Sequence, residues 1–366
     1  MAKKNNILLL IADDLGKYLG CYGEDTIQTP NIDKLAAQGA LFDMAFTSTA
    51  SCSASRSVIY TGLQTHENGQ YGLNNDRHHF TTFDHSMSVP RLYPWEIREE
   101  SDTGDVAWVA DRAAAFFDRS TSGQKPFLLT VGYIDPHRDL TRSGFGNGEN
   151  ITDVRITPSH YTPADAKIPP FLSDVPGVRL ELAEYYRSIH RLDQGVGLIL
   201  AALENARLAN DTLVVFMSDN GPPFVNSETT LYDAGVRLPL IIRRPEGDPD
   251  QGQAPGTLIF GFHTFHEVTN YCPTRYMRTR SFKYHRNIAR KLDFPFAADL
   301  YGSLSWEGLR NSDRPMLGSR TLKSHIRRPP EELYDLEADP QEVRNLATEP
   351  EFAGQLKDMR DALEAW

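Results

Sequence analysis

Three short apolar runs along the chain stop abruptly at acidic, amide or imidazole side chains. "NNILLLIADDLG" ends at Asp13 and Asp14, "KPFLLTVGYIDPHRD" at Asp135 and His137, and "NDTLVVFMSDNG" at Asp219 and Asn220. Runs that are apolar at every position suit strands buried on both faces, as in parallel sheets covered by helices. Helical patterns lie between them. "TPNIDKLAAQGALF" puts Ile32, Leu35, Ala36 and Gly39 on one stripe, with Thr29-Pro30 as the predicted N-cap and first turn. A longer amphipathic pattern from Leu182 to Leu208 predicts a second helix. This alternation predicts an α/β fold with a mainly parallel sheet flanked by helices.

In open α/β sheets ligands collect at the carboxyl ends of the strands, so the three polar clusters are expected to converge. Asp13, Asp14, Asp219 and Asn220 offer four hard oxygen donors, the kind that calcium or magnesium takes in preference to zinc. Taken singly, each aspartate reads better as the cap of a following helix. Two adjacent carboxylates repel one another, however, and a bound cation relieves that most simply.

At 366 residues, 40% of them hydrophobic, the chain can bury a large core and is long enough for a second domain. The Gly-, Pro- and Asp-rich stretch "PEGDPDQGQAPGTLIF" reads as a linker, which predicts a large domain over residues 1–256 and a smaller one over 257–366. A net charge of -11 argues against a nucleic-acid surface, and no membrane is implied. The opening "MAKKNNILLLIADD" lacks a small-residue cleavage site and is cut off by two aspartates, so a cytoplasmic location is expected. The sequons at Asn150 and Asn210 carry no weight without a secretion signal.

Three widely spaced cysteines, Cys21, Cys52 and Cys272, make neither a disulfide framework nor a zinc knuckle. Cys21 and Cys272 fit small buried apolar positions. Cys52 differs, because it stands among small hydroxyl residues in "STASCSASRSVIYTG", ahead of an apolar segment. If a helix begins near residue 55, the cysteine lies at its positive end, where a thiolate or a bound sulfate or phosphate is favoured. Arg56 then sits one turn along, with a guanidinium suited to anionic oxygens.

The string Cys52-Ser53-Ala54-Ser55-Arg56 followed by "TGL" resembles the signature of type I sulfatases, whose cysteine is oxidised to formylglycine. "ADDLG", "TPNIDKLAAQGALF", "DPH", "SDNG", "LYDAGVRLPLI" and "ELYDLEADPQEVRNLA" are similar to sulfatase segments in their usual order. "TGLQTHENGQYGLNNDRHHF", "RLDQGVG" and "HTFHEVTNYCPTR" are most similar to the sulfamidase branch, the N-sulfoglucosamine sulfohydrolases that act in heparan sulfate degradation.

The resemblance implies an alkaline-phosphatase-like fold with a small C-terminal antiparallel sheet plus helix. It implies calcium, or alternatively magnesium, held by Asp13, Asp14, Asp219, Asn220 and the modified Cys52. Arg56 would steady the modified residue, and His137 would be the active-site histidine. Implied partners are a sulfated amino sugar and, during maturation, a formylglycine-generating enzyme; the oligomeric state is open, a homodimer included. The chemistry agrees, since a hydrated aldehyde offers one hydroxyl to attack sulfur and a second whose collapse expels sulfate. A histidine can protonate the leaving amine or alcohol.

Several departures stand beside the resemblance. Ala54 replaces the commoner proline. At "MSVPRLYPWEIREE" a strand and a Lys-x-His element of the relatives have no counterpart between Leu92 and Tyr93, and residues 245–260 are also short. Glu228 in "NSETTLY" takes a place where relatives present Lys or Arg, where it would repel an anion by about 1 kcal/mol or serve as a solvated loop carboxylate. His78, His79, His263, His266 and Glu267 are candidates for the sugar pocket, although "HTFHE" lacks the spacing of a zincin motif. Two other readings remain open: a phosphonate or phosphodiester hydrolase of the same superfold, and a truncated, catalytically impaired relative.

Overall fold

A computed structural model describes residues 5–73, 96, 97, 99, 104–121, 125–139, 144–148, 150–245, 258–267 and 269–366. His78 and His79, most of the 87–100 junction and most of the 245–260 linker lie outside the described residues.

The three apolar runs form β1 (Asn6–Ala12), β3 (Leu128–Gly132) and β4 (Thr212–Ser218), and between the first two fall α1 (Pro30–Ala37), β2 (Ala40–Phe46), α2 (Cys52–Thr61) and α3 (Val106–Thr121). β1 lies between β3 and β4 and is parallel to both, so that Leu10 sits opposite Val131 on one side and Phe216 on the other. All three strands therefore point their carboxyl ends the same way, as the pattern predicted. The sheet continues through β5 (Arg237–Arg243), antiparallel to β4, to β2, antiparallel to β5, in the order β2-β5-β4-β1-β3. Only β5 runs against the other four.

β5 carries Pro239 inside a central strand, where the missing N–H would normally break a ladder. The neighbours absorb it. Pairing with β4 stops at Leu240, and β2 bulges between Phe42 and Ala45 opposite the proline. The Leu240 N–H next to it donates to the Tyr22 hydroxyl at 2.9 Å.

The long helix, α4, spans Pro176–Asn205, beginning six residues before the predicted start. Its stripe of Val178, Leu182, Tyr185, Ile189, Leu192, Val196, Ile199 and Leu203 follows the helical period and is buried against the sheet. α1 begins after Thr29 with Pro30 in its first turn, as expected, and Gly39 lies beyond its end. The Thr29 hydroxyl does not cap it. Asp193 of α4 does so instead, accepting from the N–H groups of Asn31 and Ile32 at 3.2 and 2.8 Å.

After residue 257 the chain forms β6 (Ile259–His263), β7 (Thr274–Arg278), β8 (Phe282–Asn287), α5 (Leu304–Arg310), β9 (Glu331–Asp335) and α6 (Ala353–Ala365). The four strands make an antiparallel sheet in the order β9-β8-β7-β6. α6 covers one face, with Leu356, Met359 and Leu363 packed on Met277, Tyr284 and Leu333. Tyr276 points from the other face into a cluster with Ala50, Leu231 and Val236. The intervening segment does not stay with this sheet: Phe296, Ala297, Leu300 and Leu309 join the core of the large sheet. Among the described residues no helix is long and apolar enough to cross a membrane.

Candidate active site

The carboxyl ends of β1 and β4 bring Asp13, Asp14, Asp219 and Asn220 together, all buried, and α2 delivers Cys52 to the same point. α2 begins at Cys52, three residues earlier than the sequence suggested, with Ser51 as its extended N-cap. The Cys52 Sγ lies 3.7 Å from Asp14 Oδ1, and the Asn220 side-chain amide donates to it at 3.2 Å. One turn on, Arg56 donates from Nε to Asp219 Oδ2 at 2.7 Å, and its Nη2 is 3.3 Å from Asp13 Oδ2. Asp219 Oδ1 accepts from the Asp14 N–H at 3.1 Å, and the Ser55 hydroxyl donates to the Asp219 carbonyl.

Beyond β3 the chain turns through a cis Asp135-Pro136 bond to His137. His137 Nδ1 lies 2.7 Å from the Arg138 carbonyl, which makes Nδ1 the protonated nitrogen of the neutral ring and leaves Nε2 facing Asp14 Oδ2 at 3.7 Å. Burial lowers its pKa.

Asp14 has φ of 60°, a left-handed conformation uncommon for a non-glycine residue. Tyr185 fixes it by donating its buried hydroxyl to the carbonyls of Asp14 and Leu15 at 2.7 and 2.8 Å. A strained aspartate held from behind by a helix is the kind of outlier that clusters at functional sites.

Three carboxylates with one fixed cation make an unbalanced centre. Burial raises the Asp14 carboxyl well above the usual range, and Glu228, Asp13 and Asp219 raise it further. Burial, then Asp13, pushes Asp219 up to about 7, even though Arg56 opposes both. The Cys52 thiol is likewise held well above its ordinary value by burial and then by the carboxylates of Asp13, Asp14 and Asp219. The thiolate favoured by the helix end is therefore overridden in this cluster.

The donor set fits a divalent cation. Asp13 Oδ1, Asp14 Oδ2 and Asn220 Oδ1 are buried and have no hydrogen-bond partner among the described residues, a costly state unless something else accepts their lone pairs. Ligand atoms of Asp14, Cys52 and His137, and of Asp13, Cys52 and Asp219, lie within 4.8 Å of one another in each group.

Of the pocket candidates among the described residues, His266 reaches the N-cap of the helix that carries Cys52: its Nδ1 is 3.1 Å from the hydroxyl of Ser51, and its Nε2 is 3.7 Å from Glu228 Oε1. Glu228 is 1% exposed, which corrects the reading of a solvated loop carboxylate. Burial and then Asp299 push its carboxyl well above the usual range. His263 is buried at the end of β6, and desolvation lowers it to about 4. Glu267 has a scaffolding role, accepting from the Asn270 amide and the Ala298 N–H at 2.7 and 3.2 Å.

Sequence reasoning missed the supports. Arg138 is fully buried in a two-pronged pair with Glu181 at 2.9 and 3.0 Å, and Arg191 grips Asp135 with two contacts of 2.7 Å. One signal was available: Glu181 falls on the apolar stripe of α4, where a carboxylate needs a partner.

The Sulfatase family model matches residues 5–92 and 79–271, two stretches that overlap next to the shortened junction. Human N-sulphoglucosamine sulphohydrolase is 35% identical over 454 positions, covering 100% of this chain and 90% of that protein. An alignment so much longer than 366 residues means that the relative has segments without counterparts here. A protein solved in complex with its substrate D-glucosamine-2-N,6-O-disulfate superposes with a TM-score of 0.65 at 18% identity, over 99% of this chain and 97% of the other. The phosphonate monoester hydrolase of Agrobacterium radiobacter shares the fold as well, with a TM-score of 0.64 at 16% identity over 99% and 95% of the chains.

Proposed function

The chain belongs to the sulfatase family, and from that premise we propose that it hydrolyses sulfate esters or sulfamates of sulfated amino sugars at Cys52, matured to formylglycine. One observation carries the reading: the cysteine at the start of α2 lies against buried, unpartnered oxygens from the ends of two parallel strands.

Asp13, Asp14, Asp219 and Asn220 would hold the cation. An all-oxygen set beside one modified side chain favours calcium, with magnesium the alternative. The cation and the formylglycine supply, when present, charge neutralisation at the sulfuryl oxygens and a hydroxyl nucleophile. The chain's own residues do the positioning. Arg56 ties Asp219 and Asp13 so that their remaining oxygens stay directed at the centre. Tyr185 holds the Asp14 backbone in its strained turn. His137, its Nδ1 committed to the Arg138 carbonyl, keeps Nε2 as the atom that takes up a proton and delivers it to the leaving amine or alcohol. Glu228 and His266 would line the sugar side, with His263 behind them.

The test is co-expression with a formylglycine-generating enzyme, followed by mass spectrometry of the Cys52 peptide, calcium and magnesium titration, and assays on an aryl sulfate, an aryl phosphodiester and N-sulfoglucosamine. Expected are an aldehyde at residue 52, one divalent ion per chain and turnover of sulfated substrates ahead of the phosphodiester. Full turnover by a chain whose Cys52 remains a thiol would overturn the reading.

A further inference from the structure

The small sheet has two faces with different fates. Tyr276 and its neighbours turn toward the large sheet, where the Tyr276 hydroxyl donates to the Thr47 carbonyl at 2.8 Å. Met277 and Tyr284 turn the other way, under α6. Where α6 ends, that second face opens into a recess of about 560 Å³ lined by Arg275, Arg286, Arg290, Arg360, Glu331 and Glu364. Its volume lies in the range of small-molecule sites, about 300–1,000 Å³.

Strand register sets its charge. Arg275 of β7 is directly opposite Arg286 of β8, which is directly opposite Glu331 of β9. Like charges directly across an antiparallel pair are unfavourable. The two carboxylates of the recess offset only two of its four guanidiniums, those of Arg286 and Arg360. Glu331 takes Arg360 in a two-pronged pair at 2.7 and 2.8 Å and also accepts from the Tyr284 hydroxyl, while Glu364 pairs with Arg286. Arg275 and Arg290 have no ion-pair partner among the described residues. A chain with a net charge of -11 thus concentrates four guanidiniums against two carboxylates in one concavity. Planar guanidiniums at the wall of a recess suit the oxygens of sulfate and carboxylate groups, which they bind in fork geometry.

We propose that this recess is a non-catalytic subsite that grips anionic groups of a sulfated polysaccharide chain, away from the sulfate being cleaved. The proposal rests on the sulfatase reading for its choice of polyanion. The overall negative charge of the protein disfavours polyanions elsewhere on its surface, so the grip is local and sensitive to salt. It makes the enzyme better at engaging long sulfated chains than isolated sugars, because the second contact raises the effective concentration of the polymer at the first.

The test compares the full-length, formylglycine-bearing protein with its Arg275→Ala/Arg290→Ala double variant and with Arg275→Lys/Arg290→Lys. Binding of a heparin octasaccharide is measured by calorimetry at two salt concentrations, with an unsulfated maltooligosaccharide of equal length as the control. The alanine variant is expected to lose about tenfold in octasaccharide affinity and to show a shallower salt dependence, while turnover of a sulfated monosaccharide stays within about twofold. The lysine variant should retain part of the affinity, and the maltooligosaccharide should not bind. Equal octasaccharide affinity for the wild type and the alanine variant, or equal binding of the neutral chain, overturns the proposal. If the recess binds the octasaccharide as expected but no sulfated substrate is turned over, the sulfatase reading fails while the anion site stands.

Discussion

Two buried clusters of acids, one at the tips of β1 and β4 and one between β5 and the small sheet, solve the same electrostatic problem in opposite ways. The partial burial of Asp233 would by itself raise its pKa, but Lys283 and Arg278 outweigh that and hold it well below the usual carboxylate range. The Lys283 ammonium is 2.9 Å from Asp233 and 3.1 Å from Glu342, and Arg278 meets Asp233 at 2.9 and 3.1 Å. Glu342 in that cluster is still pushed up to about 7 by burial although Lys283 opposes it, so the contrast lies in the cations. Around Cys52 a single guanidinium, Arg56, is shared by two carboxylates, Asp219 is driven up, and oxygens of Asp13, Asp14 and Asn220 converge without partners among the described residues. An acid cluster that carries its own cations is mortar between two sheets. One that lacks them is shaped for a cation from outside.

The comparison can be broken first at Asp14. Asp14→Asn should lower sulfate turnover by about a thousandfold and abolish the rise in melting temperature caused by calcium. The cation-free protein should become more stable by about 1–2 kcal/mol, because one buried carboxylate leaves a crowd of like charges. A calorimetric scan with and without calcium reads both effects, and a destabilised cation-free variant would contradict the contrast. Lys283→Met should do the reverse, costing about 3–5 kcal/mol in denaturant unfolding because Asp233 and Glu342 lose a buried partner. Turnover per folded molecule should be unchanged.

A smaller effect sharpens the picture at Asp193, which is pushed up to about 6, mainly by burial. Because the folded state holds this proton more tightly than the unfolded chain, its contribution is present below about pH 4 and falls away as the pH rises through about 6, by roughly 3 kcal/mol. Asp193→Asn should flatten that part of the stability profile. Smallest is Tyr185→Phe, expected to cost about 1–2 kcal/mol in stability and about tenfold in kcat, with KM nearly unchanged. A loss confined to stability would show that the Asp14 turn holds without the hydroxyl.

Much of the site was legible because parallel strands end in phase. Once "ILLLIADD" and "LVVFMSDN" read as neighbouring buried strands, topology forces Asp13, Asp14, Asp219 and Asn220 together. The start of α2 was nearly legible, because small hydroxyl residues before an apolar segment suit a helix entry. β5 was not, since Pro239 argues against a central strand unless a bulge opposite it and an early end to its ladder can be foreseen. The capping of α1 by Asp193 was hidden as well, because the partner lies 162 residues away from Asn31 and local pattern carries no sign of it. Glu228 was misjudged for a related reason: a polar loop sequence does not reveal that the loop is packed inside.

α4 holds four separate posts of this architecture: Glu181 under Arg138, Tyr185 under Asp14, Arg191 under Asp135 and Asp193 at the head of α1. One rod about 45 Å long therefore ties the site to the central core. Heating should consequently show no window in which the molecule stays folded but inert, and the midpoint for loss of activity should coincide with that for loss of helical signal.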